Sequence, residues 1–529
     1  MRRRLAWLLA ALLAVLAAPT PVRSADADSS PRVHVAGIDR TVHHDDGSAR
    51  ASIPWLARPG SERRAAAVVA SSASSAASPL APVVVPPTFD GIPNIDPPLA
   101  TPADPTGALG MTYHLAAVNT HMAFYDRTGV QFGPTRRLRT LDPELAGKNV
   151  TDFDPKVVYD YYGQHFLLVF LSRTDTRSFL SVVVIPEGSE GTTNGWCTLH
   201  MSGDQVAGNG KQFADYPSVG FTESRVTIAT NQYDFSNAPS IGGFRYVQII
   251  SMGKGALYDC ERPVVPIKVF SRTQTRDPDG SRAFTIVPAV SIAGAPTAQF
   301  MTSIDFNGSS GKLILWRLTV VDGKFKLVRT RVAGGPMSIP RWGRQCGNTK
   351  GLQSKWDTGD VRLTSAFWDA ALGRLYTATS IAGNLGGGSV ESVVRWWEVD
   401  PAATLANSTV PRRGIVGRAG RDAAWPSVAT DSEGKLWVNY ARAGVSECLA
   451  AMASVVQPGA TGHAAVSIRT GSGRYEASSG PERWGDYTAV SRDPQNGTQM
   501  AAYGAHPIDD GGGPATELWQ QVIATLTDV

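Results

Sequence analysis

The chain has 529 residues, 42% of them hydrophobic, with 53 Gly and 35 Pro; that composition supports a large core and a fold with many turns. Lys and Arg (50) exceed Asp and Glu (46) by four, and Arg2, Arg3, Arg4 and Arg23 all lie in an N-terminal segment expected to be removed, which leaves a formally neutral chain. That balance excludes nucleic acid and anionic membranes as partners drawn in by global charge.

Residues 1–24 have the pattern of a secretory signal peptide, with three arginines, an apolar run from Leu5 to Ala18 and small residues ending near Ser24. The apolar run is too short for a membrane span, which needs about 20 residues. No Cys follows it, so lipid anchoring is not expected. The mature chain is expected to be secreted or periplasmic. Residues 25–105 are expected to form a disordered lead, because Ala-Ser tracts and a Pro-rich stretch bury too little surface to offset ordering entropy. Val83-Val84-Val85 is the exception, a candidate outer strand for the last repeat.

From 106 to 529 the chain reads as an array. A small or Pro-containing extended dipeptide leads into Val, a turn follows, and a second apolar run comes about ten residues on. Pro155-Lys156-Val157, Pro217-Ser218-Val219, Pro288-Ala289-Val290 and Pro426-Ser427-Val428 carry the mark, and Val361-Arg362-Leu363 and Tyr487-Thr488-Ala489 hold the same place without the proline. Successive marks are about 61 to 73 residues apart, room for four short strands with loops. The second runs, such as Phe166-Leu167-Leu168-Val169-Phe170 and Leu436-Trp437-Val438, fit strands buried on both faces. No amphipathic stretch between them suits the helix of a βαβ unit.

The first repeat is placed near Gly110 and the next near Asp154, Asp215, Val287, Asp360, Trp425 and Asp486. The expected fold is an all-β propeller of seven blades, or six if the first and last repeats share strands. Cys197, Cys260, Cys346 and Cys448 allow two disulfides in three connectivities. Cys197 with Cys260 and Cys346 with Cys448 would each tie neighbouring blades, and free buried thiols are the alternative.

Asp154-Pro155-Lys156-Val157-Val158-Tyr159-Asp160, Phe213-Ala214-Asp215-Tyr216-Pro217, Asn231-Gln232-Tyr233 and above all Arg483-Trp484-Gly485-Asp486-Tyr487 resemble a group of exported bacterial β-propeller proteins. That group is loosely joined to sialidase-like propellers and mostly has no assigned activity. The resemblance spans about 110 to 529 and implies fold and export, not a reaction. Two sialidase features fail to match. The nearest Asp-box candidate, Asp431-x-x-Gly434-x-x-Trp437, carries one residue too many between Asp and Gly, and the Arg-Ile-Pro stretch is missing.

In a propeller the innermost strand of each blade starts at the channel mouth. Asp154, Asp215, Asp360 and Asp486 are therefore expected on a ring there, as a cation site or an acid–base pair, or as acceptors for turn amides that bind blade to blade. Arg483, Trp484 and Tyr487, with Tyr216 and Trp425 at equivalent blade positions, form a candidate ligand set for a sugar ring or an acidic group; inter-blade packing is the competing role. The histidines show no HExxH and no close pair at metal spacing, and no nucleophile elbow, Walker A motif or dinucleotide fingerprint occurs. No metal or cofactor is expected. The leading expectation is a monomer that binds an extracellular glycan or peptide at the channel mouth without turning it over. The alternative is a carbohydrate-active hydrolase or lyase with Asp215 and Asp486 as acid and base and Arg483 and Tyr487 as ligand contacts. A purely structural protein would show a plugged channel.

Overall fold

A computed structural model describes residues 40–42, 81–94 and 102–528, apart from 207–211, 236–242, 295, 306–311, 336, 348–354, 386–389, 478–480 and 509–514. The expected signal peptide and most of the expected lead lie outside the described residues. The apolar runs become the central strands of antiparallel sheets. His165–Arg173 and Leu436–Gly444 are buried almost throughout, because each sheet is covered on both faces by its neighbours. The core is accordingly divided among the spaces between sheets. One cluster joins Leu167, Val182 and Leu199 of one sheet to Ile228 and Ile250 of the next, and another joins Val247 and Ile249 to Ile314 and Trp316.

The sheets follow one another along the chain as a β-propeller. Five stand separately with four or five strands each, at 106–137, 151–202, 284–333, 422–470 and 489–528. The strands of 212–270 and 365–416 are joined in one nine-stranded sheet. The expectation of seven blades, or six, is corrected: five sheets stand as blades, and the strands of 212–270 and 365–416 do not form two more but merge in one sheet. The link is Val290–Ile292, which continues from the inner strand Phe284–Pro288 and pairs in parallel with Phe221 on one side and with Phe367, Trp368 and Asp369 on the other. Close approach permits this crossing. A Cβ at Gly220 would fall 2.4 Å from the Ala289 carbonyl oxygen, so only glycine fits.

The lead is corrected as well. Residues 82–93, expected to be disordered apart from Val83-Val84-Val85, form the strand Pro82–Pro93, which pairs antiparallel with the C-terminal strand Trp519–Asp528, Val83 opposite Thr527 and Phe89 opposite Ile523. Its prolines are tolerated because it is an edge strand, and register shifts at 85/88 and 90/93 absorb them. The outer strand foreseen at Val83-Val84-Val85 is therefore present, and it joins the two ends of the array. Thr106–Leu109, ahead of the expected start at Gly110, is the inner strand of the first sheet.

Disulfides join Cys197 to Cys260 and Cys346 to Cys448, the pairing expected from blade adjacency. Among the described residues no helix is long and apolar enough to cross a membrane.

Candidate site at the channel mouth

Four of the inner strands share one irregularity. In Thr151–Asp160, Gln212–Phe221, Phe284–Pro288 and Asp422–Thr430 the register with the next strand slips between 153 and 156, 215 and 218, 284 and 287, and 424 and 427. Two residues on the inner strand thus face one on its neighbour, a β-bulge that re-aims side chains and sharpens the bend. The first bulged residue is left-handed each time: Asp154 at φ +53°, Tyr216 at +54°, Thr285 at +50° and Trp425 at +60°. Asp104, at φ +46°, has the same place before Thr106–Leu109. Non-glycine residues in this region store strain of about 1–3 kcal/mol each and persist only when their surroundings hold them.

Here the hold comes from the preceding sheet. Asn119 Oδ1 accepts from the Asp154 N–H at 2.8 Å, Asp154 Oδ2 from the Tyr216 N–H at 3.0 Å, Asn231 Oδ1 from the Thr285 N–H at 3.1 Å, and Ser380 Oγ from the Trp425 N–H at 3.2 Å. The seam closes on itself where Asp104 Oδ1 accepts from the Asp486 N–H at 2.6 Å, while Asp104 Oδ2 accepts from Asn119 Nδ2 at 2.6 Å. Asp154 and Asp104 are thus acceptors that join sheet to sheet, the structural role weighed against a catalytic one.

The bulges gather ionisable groups at one mouth. The Asp154 carboxylate also accepts from the Tyr487 hydroxyl at 3.1 Å. The Lys156 ammonium lies 3.1 Å from the centre of the Tyr487 ring, and the Tyr487 and Tyr216 rings are 4.8 Å apart. Arg362 makes a bidentate pair with Asp360, at 2.9 and 2.8 Å, and its guanidinium lies 4.7 Å from the Tyr216 ring centre. Arg483 contacts both oxygens of Asp486, at 3.2 and 3.1 Å, and lies 3.9 Å from Asp357.

Burial in this cluster moves proton affinities. Asp215 is pushed up to about 7, first by burial and then by the Asp154 charge, against the pull of Arg362. Asp154 rises to about 6 through burial and the Asp486 charge, and Asp104 rises for the same two reasons. Burial pulls Lys156 down to about 7, with Asp154, Asp104 and Asp486 resisting. Burial would raise Asp360 too, but its Arg362 partner outweighs that and holds it below the usual carboxylate range.

Beneath the tyrosines the inner strands line a closed-in channel of about 100 Å³, ringed by Thr106, Lys156, Ser218, Thr364, Ser427 and Thr488 and then by valines. Ligand pockets run to ~300–1,000 Å³, so a ligand of that kind would sit on the mouth and not in the channel. The plugged channel expected of a purely structural protein is not what these strands form, since space of about 100 Å³ remains between them. At the mouth Arg483 is 47% exposed, Asp357 33% and Asp486 17%.

The expected site residues do converge on this mouth, but not as one ring. Asp154 is equivalent to Tyr216 and Trp425, whereas Asp215 precedes that position by one residue and Asp360 precedes Arg362 by two. Trp425 and Trp484 are buried in the same apolar cluster. Trp425 Nε1 donates to the Asp357 carbonyl at 3.0 Å, and Trp484 meets Tyr475 edge to face. Gly359, at φ +80°, lets the 357–362 segment lie on the Trp425 ring, since a Cβ there would fall 2.4 Å from it. Tyr216 and Tyr487 lie at the bottom of the mouth, both 2% exposed. The mouth also holds Asp104, Lys156, Asp357 and Arg362, which stand outside the candidate set. Asp104-Pro105-Thr106 repeats the Asp154-Pro155-Lys156 pattern, a signal that the Pro-rich lead around it obscured.

No known family profile matches this chain, and no curated protein matches it in sequence. Solved structures resemble it in shape. An α-L-arabinanase from Penicillium chrysogenum, complexed with arabinobiose, is 11% identical at a TM-score of 0.37 and covers 85% of this chain and 99% of its own. A Trypanosoma rangeli sialidase is 11% identical at 0.36, covering 70% of this chain and 54% of its own. The Dos1 propeller is 8% identical at 0.38, covering 84% and 94%. These are likenesses of shape and bring no reaction with them.

Proposed function

We propose that this protein is a carbohydrate-binding β-propeller whose ligand rests on the channel mouth. The observation that carries the reading is the partly open set of Arg483, Asp486 and Asp357, a cation flanked by two acceptors above a floor of tyrosines. Sugar hydroxyls both donate and accept, so a surface offering charged donors and acceptors within one ring's width suits them. The two disulfides support action in an extracellular or periplasmic compartment, and a monomer suffices because all these groups come from one chain.

A second reading, hydrolysis, is favoured by one observation: Asp215 is pushed up to about 7, as a general acid requires, and it adjoins Tyr216, whose N–H bonds the Asp154 carboxylate of the preceding sheet that helps raise it. In that reading Asp486 is the base or nucleophile. A glycan-array screen of the wild type and Asp486→Asn, with the supernatants assayed for released reducing sugar, separates the two. Binding lost in the variant with no sugar released supports recognition. Release that depends on Asp215 and Asp486 supports hydrolysis, and no binding by the wild type refutes both.

A further inference from the structure

The segment 334–364, between the strands Lys324–Ala333 and Ser365–Asp369, carries an exposed tryptophan on a rigid base. Gly343 and Arg344 pair antiparallel with Trp356 and Lys355. Trp356 is fully buried and donates through Nε1 to the Arg344 carbonyl at 3.1 Å. The Arg344 backbone N–H and Nε both donate to Asp422 Oδ2 at 2.9 Å, and Cys346 is bonded to Cys448. On the other side the Ser338 carbonyl accepts from the Ala382 N–H at 2.9 Å, and the Arg341 carbonyl from Thr358 Oγ1 at 2.5 Å. Between these anchors Trp342 is 53% exposed and Ile339 67%.

A large aromatic ring held in water by an anchored backbone loses hydrophobic free energy that inward packing would recover. Its position relates it to the mouth. Thr358, bonded to the Arg341 carbonyl, is the neighbour of Asp357, whose carboxylate lies 3.9 Å from Arg483. Trp342 is thus tied to the charged set through two backbone neighbours, Arg341 and Thr358, and a ligand long enough to reach both would meet polar groups at one end and an apolar face at the other.

We propose that Trp342 is a second subsite that stacks on a sugar ring next to the one held at Arg483 and Asp486, so that the protein takes a glycan chain and not a single sugar. The inference rests on the carbohydrate-binding reading above. Sugar rings have an apolar face that lies flat on an indole, and the anchored backbone keeps the ordering cost low.

The test uses the full chain as wild type, Trp342→Ala, Trp342→Phe and Asp486→Asn on an array of neutral and acidic glycans of one to six sugar units. Expected is a loss of about tenfold in affinity for the longer glycans in Trp342→Ala, single sugars unaffected, with recovery in Trp342→Phe. Thermal unfolding should be unchanged, because the ring is exposed. Equal binding of long glycans by Trp342→Ala and wild type, with Asp486→Asn inactive, overturns the subsite and leaves the mouth reading intact. No binding by the wild type removes both. A change of oligomeric state in Trp342→Ala, seen by sedimentation, would assign the ring to a second copy and overturn the proposal.

Discussion

Asp104 accepts a 2.6 Å hydrogen bond from the backbone N–H of Asp486 across 382 residues of chain, and the same carboxylate receives Asn119 Nδ2. This pair joins the two ends of the array, as four other such bonds hold the strained bulge of one sheet from the sheet before it. Asp104→Ala leaves the Asp486 amide without its acceptor, at a cost of about 1–3 kcal/mol, and leaves Asn119 Nδ2 with the Pro102 carbonyl alone. Urea unfolding of the variant should show a midpoint below that of the wild type. An unchanged midpoint would mean that the closure contributes nothing to stability.

The mouth carboxylates make stability depend on pH. Asp215 and Asp154 hold protons to about 7 and about 6 in the folded chain, against an ordinary 3.8. As pH rises from about 4 the unfolded chain releases them first, so stability falls until about pH 7 and then levels off. Lys156 acts in the opposite sense. The folded chain gives up its proton near 7 and the unfolded chain only near 10.5, so its contribution rises with pH between those values. Denaturation of Asp215→Asn should show a shallower fall between pH 4 and 7, and Lys156→Met a weaker rise above 7. Parallel curves for all three proteins would show that the cluster does not titrate as described.

Removing the strand Pro82–Pro93 should uncover the whole edge of the C-terminal strand. Ile92, fully buried, and Val84, packed on the core, go with it. A chain starting at residue 95 is expected to aggregate or associate further through the bare edge, whereas one starting at 80 should keep the size of the full chain. Light scattering distinguishes them, and equal behaviour would mean that the strand is dispensable.

The Cys346–Cys448 bond, spanning 102 residues, ties the 334–364 segment to the strand Glu447–Val456. Replacing both cysteines with Ser should lower stability by roughly 2–5 kcal/mol. It should also loosen the turn that carries Arg341 and Arg344. Limited trypsin digestion is expected to cut there in the variant before the wild type, and identical digestion patterns would show that the hairpin holds without its bond.

The all-β array was legible in the sequence because its signals are local. Apolar runs such as Phe166-Leu167-Leu168-Val169-Phe170, and the prolines at 155, 217 and 426 that sit in the bulges of the inner strands, record the backbone conformation of the residues that carry them. The Cys197–Cys260 pairing was legible because repeats adjacent in sequence are adjacent in space, whereas Cys346 reaches Cys448 past the intervening strands of 365–416. The mouth was legible only as a region: Asp154, Asp215, Asp360, Arg483, Asp486 and Tyr487 do meet there. Which of them is equivalent to which depends on a one-residue bulge, and a register slip of one residue changes the face on which every following side chain lies. That placed Asp215 beside the ring position and left Tyr216 and Trp425 on it.

Tertiary structure alone decided the rest. The pairing of Pro82–Pro93 with Trp519–Asp528, the Val290–Ile292 crossing that joins two repeats in one sheet, and the burial of Trp425 and Trp484 beneath Asp357 and Tyr475 all join residues far apart in sequence. So does the depth of the tyrosine floor. Contacts between distant segments depend on how neighbouring sheets stack, and no local pattern of residues encodes that stacking.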